Sequence, residues 1–235
     1  MITQLWGINW ICAITGLHKL FYTPSKAIYN SYRPVLLKAF SQSGTKFTLP
    51  KGALISCDGE ANNYVYLICS GCISHSFVDE KGNVRILLLL SMGDVFGEIT
   101  LLQEDDDKVI TTAITPVILK RINKISFFDI LKTNPAYTKA IMQLHSTKIR
   151  ILMAQIKDTA YCNISQRLYN LLFRLAHQHG TPVPSGIRIK YPFTHEDFSQ
   201  MLGSTRSTIT RELSKLEKQG KIYKIHRHII VMHCK

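Results

Sequence analysis

The spacing of hydrophobic positions changes along the chain and separates a strand-rich region from a helical one. Residues 45–125 contain short apolar stretches, separated by turn signals about every eight to twelve residues. This pattern predicts a β-sandwich or small barrel. Val84 to Leu90 is almost continuously apolar, so we expect a strand that is buried on both faces. After Asn134-Pro135 the spacing becomes about 3.6 residues, which predicts a long helix over 135–158.

The predicted long helix has two apolar faces. One has the alternating spacing of a coiled-coil seam over about two heptads. The seam residues are Met142, His145, Ile149, Leu152 and Ile156. The other face carries Ile141, Leu144 and Ile151, so the helix can pack on its own domain and on a second copy of the chain. A helix that packs only on its own domain would need similar spacing, but we expect a homodimer, with His145 packed or hydrogen-bonded rather than bound to metal.

Two shorter helices are predicted in the segment FTHEDFSQMLGSTRSTITRELSKL, near the end of the chain. Thr194 can cap the first helix, with Asp197 three residues later as in a capping box. Gly203 ends that helix, and Ser204 or Thr205 can cap the second. The predicted buried positions are Phe198, Met201 and Leu202 in the first helix, and Ile209, Leu213 and Leu216 in the second.

The polar positions of the second helix are typical of a surface that recognises DNA. They are Arg206, Ser207, Thr208, Thr210 and Arg211. Arginines and hydroxyls near a helix N-terminus suit base edges and phosphates in the major groove. A solvated helical hairpin would also carry polar residues here. However, two short strands are predicted next, Ile222 to Ile225 and His228 to Val231. A hairpin after a recognition helix is a wing, which can touch the flanking DNA backbone.

The remaining C-terminal sequence predicts one more helix and a strand. The helix runs roughly from Ser165 to His179, after a polar break at Lys157–Asn163, and the loop GTPVPSG and the strand IRIKY follow it. The predicted divisions are a helical N-terminal extension at 1–44, a strand-rich domain at 45–133, the long helix at 134–159, and a C-terminal domain at 160–235.

The charge of the chain favours a polyanionic partner. Lysine and arginine total 29 against 16 acids, a formal charge of +13, and such an excess attracts nucleic acid or an anionic membrane. The apolar N-terminal stretch ITQLWGINWICAITGL is shorter than the ~20 residues that span a bilayer, and it lacks the basic start of a signal peptide. We expect a helix that docks on the protein, with a membrane-surface helix as the alternative, and no stable membrane association.

The six cysteines do not form the pattern of a disulfide framework or a zinc site. They stand at positions 12, 57, 69, 72, 162 and 234, in a chain whose length and composition suit a reducing cytosol. Cys69-x-x-Cys72 is half of a zinc motif, and no second pair follows it. We therefore expect buried, inert thiols and no metal.

Four segments resemble the cyclic-AMP receptor protein and fumarate–nitrate regulator (CRP/FNR) family of bacterial transcription factors. They are LPKGALISCDGEANNYVYLICSG, GDVFGEITLL, the Asn-Pro entry to the long helix, and LGSTRSTITREL. The resemblance covers residues 45–235 and implies an α+β fold. Its parts would be a cyclic-nucleotide-binding-like β-roll (jelly roll), a long dimerisation helix and a C-terminal winged helix-turn-helix. It also implies a cytoplasmic homodimeric regulator, with double-stranded DNA and RNA polymerase as partners; whether it activates or represses stays open.

The resemblance also assigns roles to individual residues. The family position that matches Arg211 contacts a guanine, and Arg206 would meet a base or a phosphate. Ser207 stands where many relatives carry glutamate, so the operator is expected to differ from the cyclic-AMP-receptor half-site.

The family's effector pocket maps onto six residues of this chain, and these disfavour cyclic AMP. They are Gly97, Glu98, Lys108, Val109, Leu152 and Met153. Lys108-Val109 replaces an Arg-Ser pair that would bind the phosphate, and the acids Glu104–Asp107 would repel it. Leu152-Met153 replaces a polar pair that would meet adenine.

Other cofactors are disfavoured too. The chain lacks the group of N-terminal cysteines that would hold an iron–sulfur cluster, since only Cys12 precedes residue 57. Haem would need axial ligands, and no evident pair exists among His18, His75 and His145. We therefore predict no cofactor, an unidentified small-molecule effector and no catalytic residues.

Two other protein classes serve as alternatives. A cupin-like metalloprotein would need several histidines inside the roll, where only His75 is available. A cyclic-nucleotide-binding regulatory subunit would need the missing arginine and would have no use for a helix-turn-helix.

Overall fold

The computed structural model of the chain describes residues 31–55, 63–103 and 109–232. The strands in these ranges are β1 (Thr45–Leu49), β2 (Leu54–Ile55), β3 (Tyr64–Ser70), β4 (Cys72–Val78), β5 (Val84–Ser91), β6 (Val95–Phe96), β7 (Ile110–Ala113), β8 (Val117–Asn123), β9 (Gly180–Val183), β10 (Gly186–Ile189), β11 (Ile222–Ile225) and β12 (His228–Met232). The helices are α1 (Arg33–Ala39), α2 (Glu98–Gln103), α3 (Lys124–Thr133), α4 (Pro135–Tyr161), α5 (Ile164–His179), α6 (His195–Leu202) and α7 (Arg206–Lys218).

Strands β1 to β8 form the predicted β-roll. They make two four-stranded antiparallel sheets, with strand orders β1-β8-β3-β6 and β2-β7-β4-β5. Residues from both sheets form one buried cluster, which includes Ile68, Ile73, Phe96 and Leu119. The alternating apolar stretches of the sequence therefore supply the facing surfaces of two layers, as expected for a sandwich.

Strand β5 is covered on both faces, which confirms the prediction for Val84 to Leu90. A bulge lies in its pairing with β4, where the register shifts between His75 and Ser76. Leu88 and Leu90 belong to the core of the β-roll. Ile86 and Leu89 belong instead to the core of the C-terminal domain. Because the bulge interrupts the strict alternation of side chains, residues three apart in sequence share a face.

Helix α4 is the predicted long helix, and it extends three residues beyond the predicted end at 158. It begins at Pro135, where the side chain of Asn134 accepts a hydrogen bond from the backbone N–H of Ala136. Its inward face packs, through residues such as Ile141 and Leu144, in a cluster with α1 and the β-roll.

The structure describes residues 31–44 of the predicted N-terminal helical extension, and these contain helix α1. The apolar stretch at residues 2–17 lies outside the described residues. No helix in the described ranges is long and apolar enough to cross a membrane.

A buried charged cluster joins α4 to α5. Arg174 Nη1 lies 2.5 Å from Asp158 Oδ2, and Asn170 Nδ2 donates to Asp158 Oδ1 at 2.8 Å. Helix α5 starts in a capping box formed by Asn163 and Gln166. The paired carboxylate therefore holds together two helices that the sequence predicts separately.

The C-terminal sheet contains one strand that the sequence analysis missed. Its order is β11-β12-β10-β9, and β9 occupies most of the segment predicted as a loop. Pro182 lies in β9 and is paired with Ile187. Proline lacks a backbone donor, which suggests a loop from sequence alone, but it is tolerated in an edge strand such as this one.

The β-roll and the C-terminal domain share a hydrophobic core. Cys72, Ile86 and Leu89 of the β-roll lie in one buried cluster with Phe198 and Leu202 of α6. In addition, the Tyr191 hydroxyl donates to the carbonyl oxygen of Gly71 at 3.2 Å. The C-terminal domain is thus docked on β5 by apolar burial and a hydrogen bond.

Candidate DNA-recognition surface and effector pocket

The helix-turn-helix is built by the local signals that its sequence predicts. Thr194 and Asp197 form the capping box at the start of α6. Gly203 ends α6 in the left-handed region, with φ +58°, which favours glycine. Thr205 then caps α7, and its side chain accepts a hydrogen bond from the backbone N–H of Thr208. All six predicted core positions of the two helices are buried.

Four of the five predicted DNA-binding residues are exposed on α7. Arg206, Ser207, Thr210 and Arg211 are solvent-accessible. The side chain of Arg211 is 75% exposed, with Nε 3.8 Å from Glu212 Oε1. At that exposure an ion pair contributes little, so the guanidinium is available to a partner. Thr208 is only half-exposed, and its hydroxyl accepts a hydrogen bond from Thr205, so this residue serves the N-terminal cap.

His195 is a residue of this surface that the sequence analysis did not single out. Its Nδ1 lies 2.8 Å from Thr210 Oγ1, while the Thr210 hydroxyl donates to the carbonyl oxygen of Arg206. Partial burial lowers the pKa of His195, and the nearby charges of Lys224 and Arg206 lower it further. A histidine that starts the preceding helix thus holds a hydroxyl of the recognition face, a contact that no local spacing in the sequence indicates.

The wing forms the predicted hairpin and borders a basic cleft. Its turn contains His226, with φ +52°. The cleft has a volume of about 470 Å³ and lies between the wing, the start of α6 and the β-roll. Its lining includes the cationic side chains Lys51, Lys224 and Arg227 and the histidines His195, His226 and His228. The flank of the recognition helix is therefore electropositive, which suits a DNA backbone.

A triad of ionisable side chains lies in the predicted effector pocket. Glu98 is fully buried; its Oε1 lies 2.6 Å from Lys148 Nζ and 3.1 Å from His145 Nε2. Lys148 also donates to the carbonyl oxygen of Val95 at 3.0 Å. Burial alone raises the pKa of Glu98, but the charge of Lys148 and the hydrogen bonds from both partners outweigh it and lower the pKa. The pocket carboxylate is thus neutralised by the chain's own long helix.

The other predicted pocket residues are not gathered in one place. Gly97 adopts φ +83°, and a Cβ there would lie 2.8 Å from the carbonyl oxygen of Tyr64, so only glycine fits. Val109 is half-buried, whereas Lys108 and the acids before it lie outside the described residues. Leu152 packs against the β-roll core, but Met153, the next residue of α4, is 61% exposed.

The residues of the predicted dimer seam also fall into two groups: three are exposed, and two contact the β-roll. Met142, Ile149 and Ile156 are 64%, 56% and 70% exposed in the single chain. His145 is hydrogen-bonded to Glu98, in line with the expectation of a packed or hydrogen-bonded histidine, and Leu152 packs on the β-roll, so in the single chain these two residues contact their own domain. The exposed apolar stripe on α4 therefore consists of Met142, Ile149, Met153 and Ile156.

The other candidate ligands in the described residues are held in protein contacts, and His18 lies outside those residues. His75 is buried edge-on to the ring of Phe96, and burial, with a smaller effect of Lys148, lowers its pKa to about 3. Cys72 is fully buried, which raises its pKa, and Cys69 is partly buried. In the described part of the chain, no three His, Cys, Asp or Glu side chains are grouped in a way that could hold a metal ion.

Comparison with known proteins matches both domains. A Crp-like helix-turn-helix domain matches residues 166–235, and a cyclic nucleotide-binding domain matches residues 46–134. The global nitrogen regulator of Synechocystis sp. is 30% identical over 188 residues, which cover 79% of this chain and 83% of that protein. The chain belongs to the CRP/FNR family of transcription regulators. It is a DNA-binding regulator, and a cyclic-nucleotide-binding regulatory subunit or a cupin-like metalloprotein is not favoured.

Further relatives extend the similarity over most of the chain. The global nitrogen regulator of Nostoc sp. is 29% identical over 91% of this chain and 96% of that protein. Among solved structures, a CooA mutant from Carboxydothermus hydrogenoformans has a TM-score of 0.68 at 20% identity, with 85% of each chain covered. CLP of Xanthomonas campestris also has a TM-score of 0.68, at 17% identity, with 86% of this chain and all of that chain covered. At these identities the structures support the fold alone.

Proposed function

We propose that this CRP/FNR regulator acts as a homodimer on an operator with two-fold symmetry. The observation that carries the proposal is the polar face of α7, where Arg206, Ser207, Thr210 and Arg211 are exposed next to a basic wing. Two such helices would enter successive major grooves about 34 Å apart. The exposed stripe of Met142, Ile149, Met153 and Ile156 supports pairing through α4.

The same proposal assigns the remaining properties of the regulator. The β-roll senses an unidentified small molecule, which acts by binding one arrangement of the dimer better than another. We assign the protein to the cytoplasm, with RNA polymerase as a further partner and with no catalytic activity, because it regulates transcription. We also propose that it carries no iron–sulfur cluster, haem or other cofactor.

Replacement of Arg211 tests the recognition surface. An operator would first be selected from random DNA with the wild-type protein. Arg211→Ala should then weaken specific binding by about 1–3 kcal/mol and relax the preference at one base position, because a bidentate contact to a base edge is lost. Lys218→Ala, at the other end of the same helix, is the matched control and should keep the preference. If Arg211→Ala binds the operator and its point variants as the wild type does, α7 is not the recognition helix.

Cyclic AMP is not the proposed effector. Glu98 is already paired with Lys148 and His145, and Leu152 and Met153 offer no polar atom to a base. Calorimetry should therefore detect no binding of cyclic AMP at micromolar concentrations. A micromolar dissociation constant, together with higher operator affinity at saturation, would contradict this assignment.

A further inference from the structure

Two arginines from different domains meet at the turn between α6 and α7. Arg167, in the first turns of α5, donates from Nη2 to the carbonyl oxygen of Leu202 at 2.5 Å. Arg85, in strand β5 of the β-roll, lies against the next residue: a Cβ on Gly203 would be only 2.6 Å from Arg85 Nη1. The docked position of the C-terminal domain brings the two guanidinium groups together.

The positive charge of this pair is not neutralised within the described residues. Both side chains are half-buried, and neither forms an ion pair with a carboxylate in that part of the chain. Burial lowers the pKa of Arg85, and the charge of Arg167 lowers it further. Two like charges in a partly desolvated place are unfavourable. An anion bound there would relieve the repulsion.

Two backbone donors of the turn are already engaged. The amide N–H groups of Gly203 and Ser204 both donate to the carbonyl oxygen of Ser199. Guanidinium groups, in contrast, bind phosphate oxygens through strong, charge-assisted hydrogen bonds. The arginine side chains are therefore the groups at this turn that suit a phosphate.

The turn lies where DNA would pass if α7 enters the major groove. It directly precedes Thr205 and Arg206, and the start of a recognition helix lies close to the DNA. We propose that Arg85 and Arg167 together bind one backbone phosphate of the operator, so that the sensor domain supplies a DNA contact of its own. This inference rests on the proposed function. It makes DNA affinity depend on the docking of the C-terminal domain on β5.

The salt dependence of operator binding tests this phosphate contact. Arg85→Gln should weaken binding roughly five- to tenfold at low salt, and the slope of log K against log salt should become shallower by up to about one. The preference among operator point variants should stay unchanged, because a phosphate contact carries no base information. Arg85→Lys keeps the charge and should retain most of the slope.

Arg121→Gln is the charge-matched control. Arg121 is exposed in β8, in the other sheet of the β-roll, where it lies over the ring of Tyr64. Its replacement should leave the slope as it is in the wild type. Melting temperatures and circular dichroism of all variants would show that they fold. A second test combines Arg85→Gln with Arg167→Gln, whose effects on binding should not add if both residues bind one phosphate.

The outcomes separate this inference from the proposed function. If the wild type selects an operator and Arg211→Ala weakens binding, but Arg85→Gln keeps the wild-type slope, the phosphate contact is wrong and the function stands. An equal loss of slope in Arg121→Gln would also overturn the contact, because it would reflect general charge. If no operator is selected, or Arg211→Ala has no effect, the recognition surface itself fails.

Discussion

The recognition surface and the junction between the β-roll and α4 use charged side chains in opposite ways. On α7, Arg211 is 75% exposed, and at this exposure its ion pair with Glu212, at 3.8 Å, contributes little. At the junction, Glu98 is fully buried and is neutralised by Lys148 from a helix 50 residues further along the chain. A surface that binds DNA needs available charge, whereas a buried charge must be paired. Substitutions in the two regions should therefore have different consequences.

The exposed stripe on α4 offers the strongest way to break the proposed dimer without unfolding the chain. Ile149→Glu would place two like charges against each other in the proposed interface. Burying each unpaired charge should destabilise the dimer by several kcal/mol. Because Ile149 is 56% exposed in the single chain, the monomer should still fold. Sedimentation should show a dimeric wild type and a monomeric variant with reduced operator affinity.

Ile125→Glu provides the control for this change. Ile125 is 75% exposed on α3, away from the stripe, and its replacement should leave the dimer intact. A monomeric wild type, or a dimeric Ile149→Glu with full operator affinity, would place the dimer surface elsewhere.

Removal of the buried cation tests the junction directly. Lys148→Met leaves Glu98 buried without its main partner and should lower the free energy of unfolding by about 3–5 kcal/mol. Lys139→Met, an exposed change on the same helix, should stay within about 0.5 kcal/mol of the wild type. Urea unfolding would measure both. By contrast, Arg211→Ala should change stability little, since its side chain is exposed.

The double variant Lys148→Met with Glu98→Gln sharpens this test, because it removes both charges and should recover most of the loss. Equal stability of Lys148→Met and the wild type would show that the triad does not hold the junction together.

Acid should destabilise the fold through two buried histidines. Burial lowers the pKa of His75 and of His179 to about 3 in the folded chain, below the ~6.5 of an unfolded histidine. The stabilisation is thus complete above pH 6.5 and is lost as the pH falls towards 3. When the pH falls from 7 to 5, each histidine should lower the free energy of unfolding by roughly 2 kcal/mol.

Urea unfolding at both pH values would measure this effect. His75→Gln should show a smaller loss on acidification, by roughly 2 kcal/mol. The hypothesis is untenable if the wild type and His75→Gln lose the same stability over this range.

The two regions also differ in how far the sequence predicts them. The caps Thr194 and Thr205, the break at Gly203 and the core positions of α6 and α7 were all predicted, because each depends on neighbours within a few residues. The triad was missed. Lys148 interrupts an inward face that also carries Leu144 and Ile151, and a cation on such a face implies a buried partner. The spacing gives no indication that Glu98 is that partner.

The sequence by itself determined the order of the β-roll, the long helix and the C-terminal domain, the helix-turn-helix and the exposed polar face of α7, because local hydrogen bonds and hydrophobic periodicity are sufficient for these. Only the tertiary structure decided which way the side chains of α4 face, which placed His145 and Leu152 on the β-roll and left Met153 exposed. It also decided that Arg85 of the β-roll meets the turn before α7. Both results depend on packing between segments far apart in the chain, and no local pattern encodes that packing.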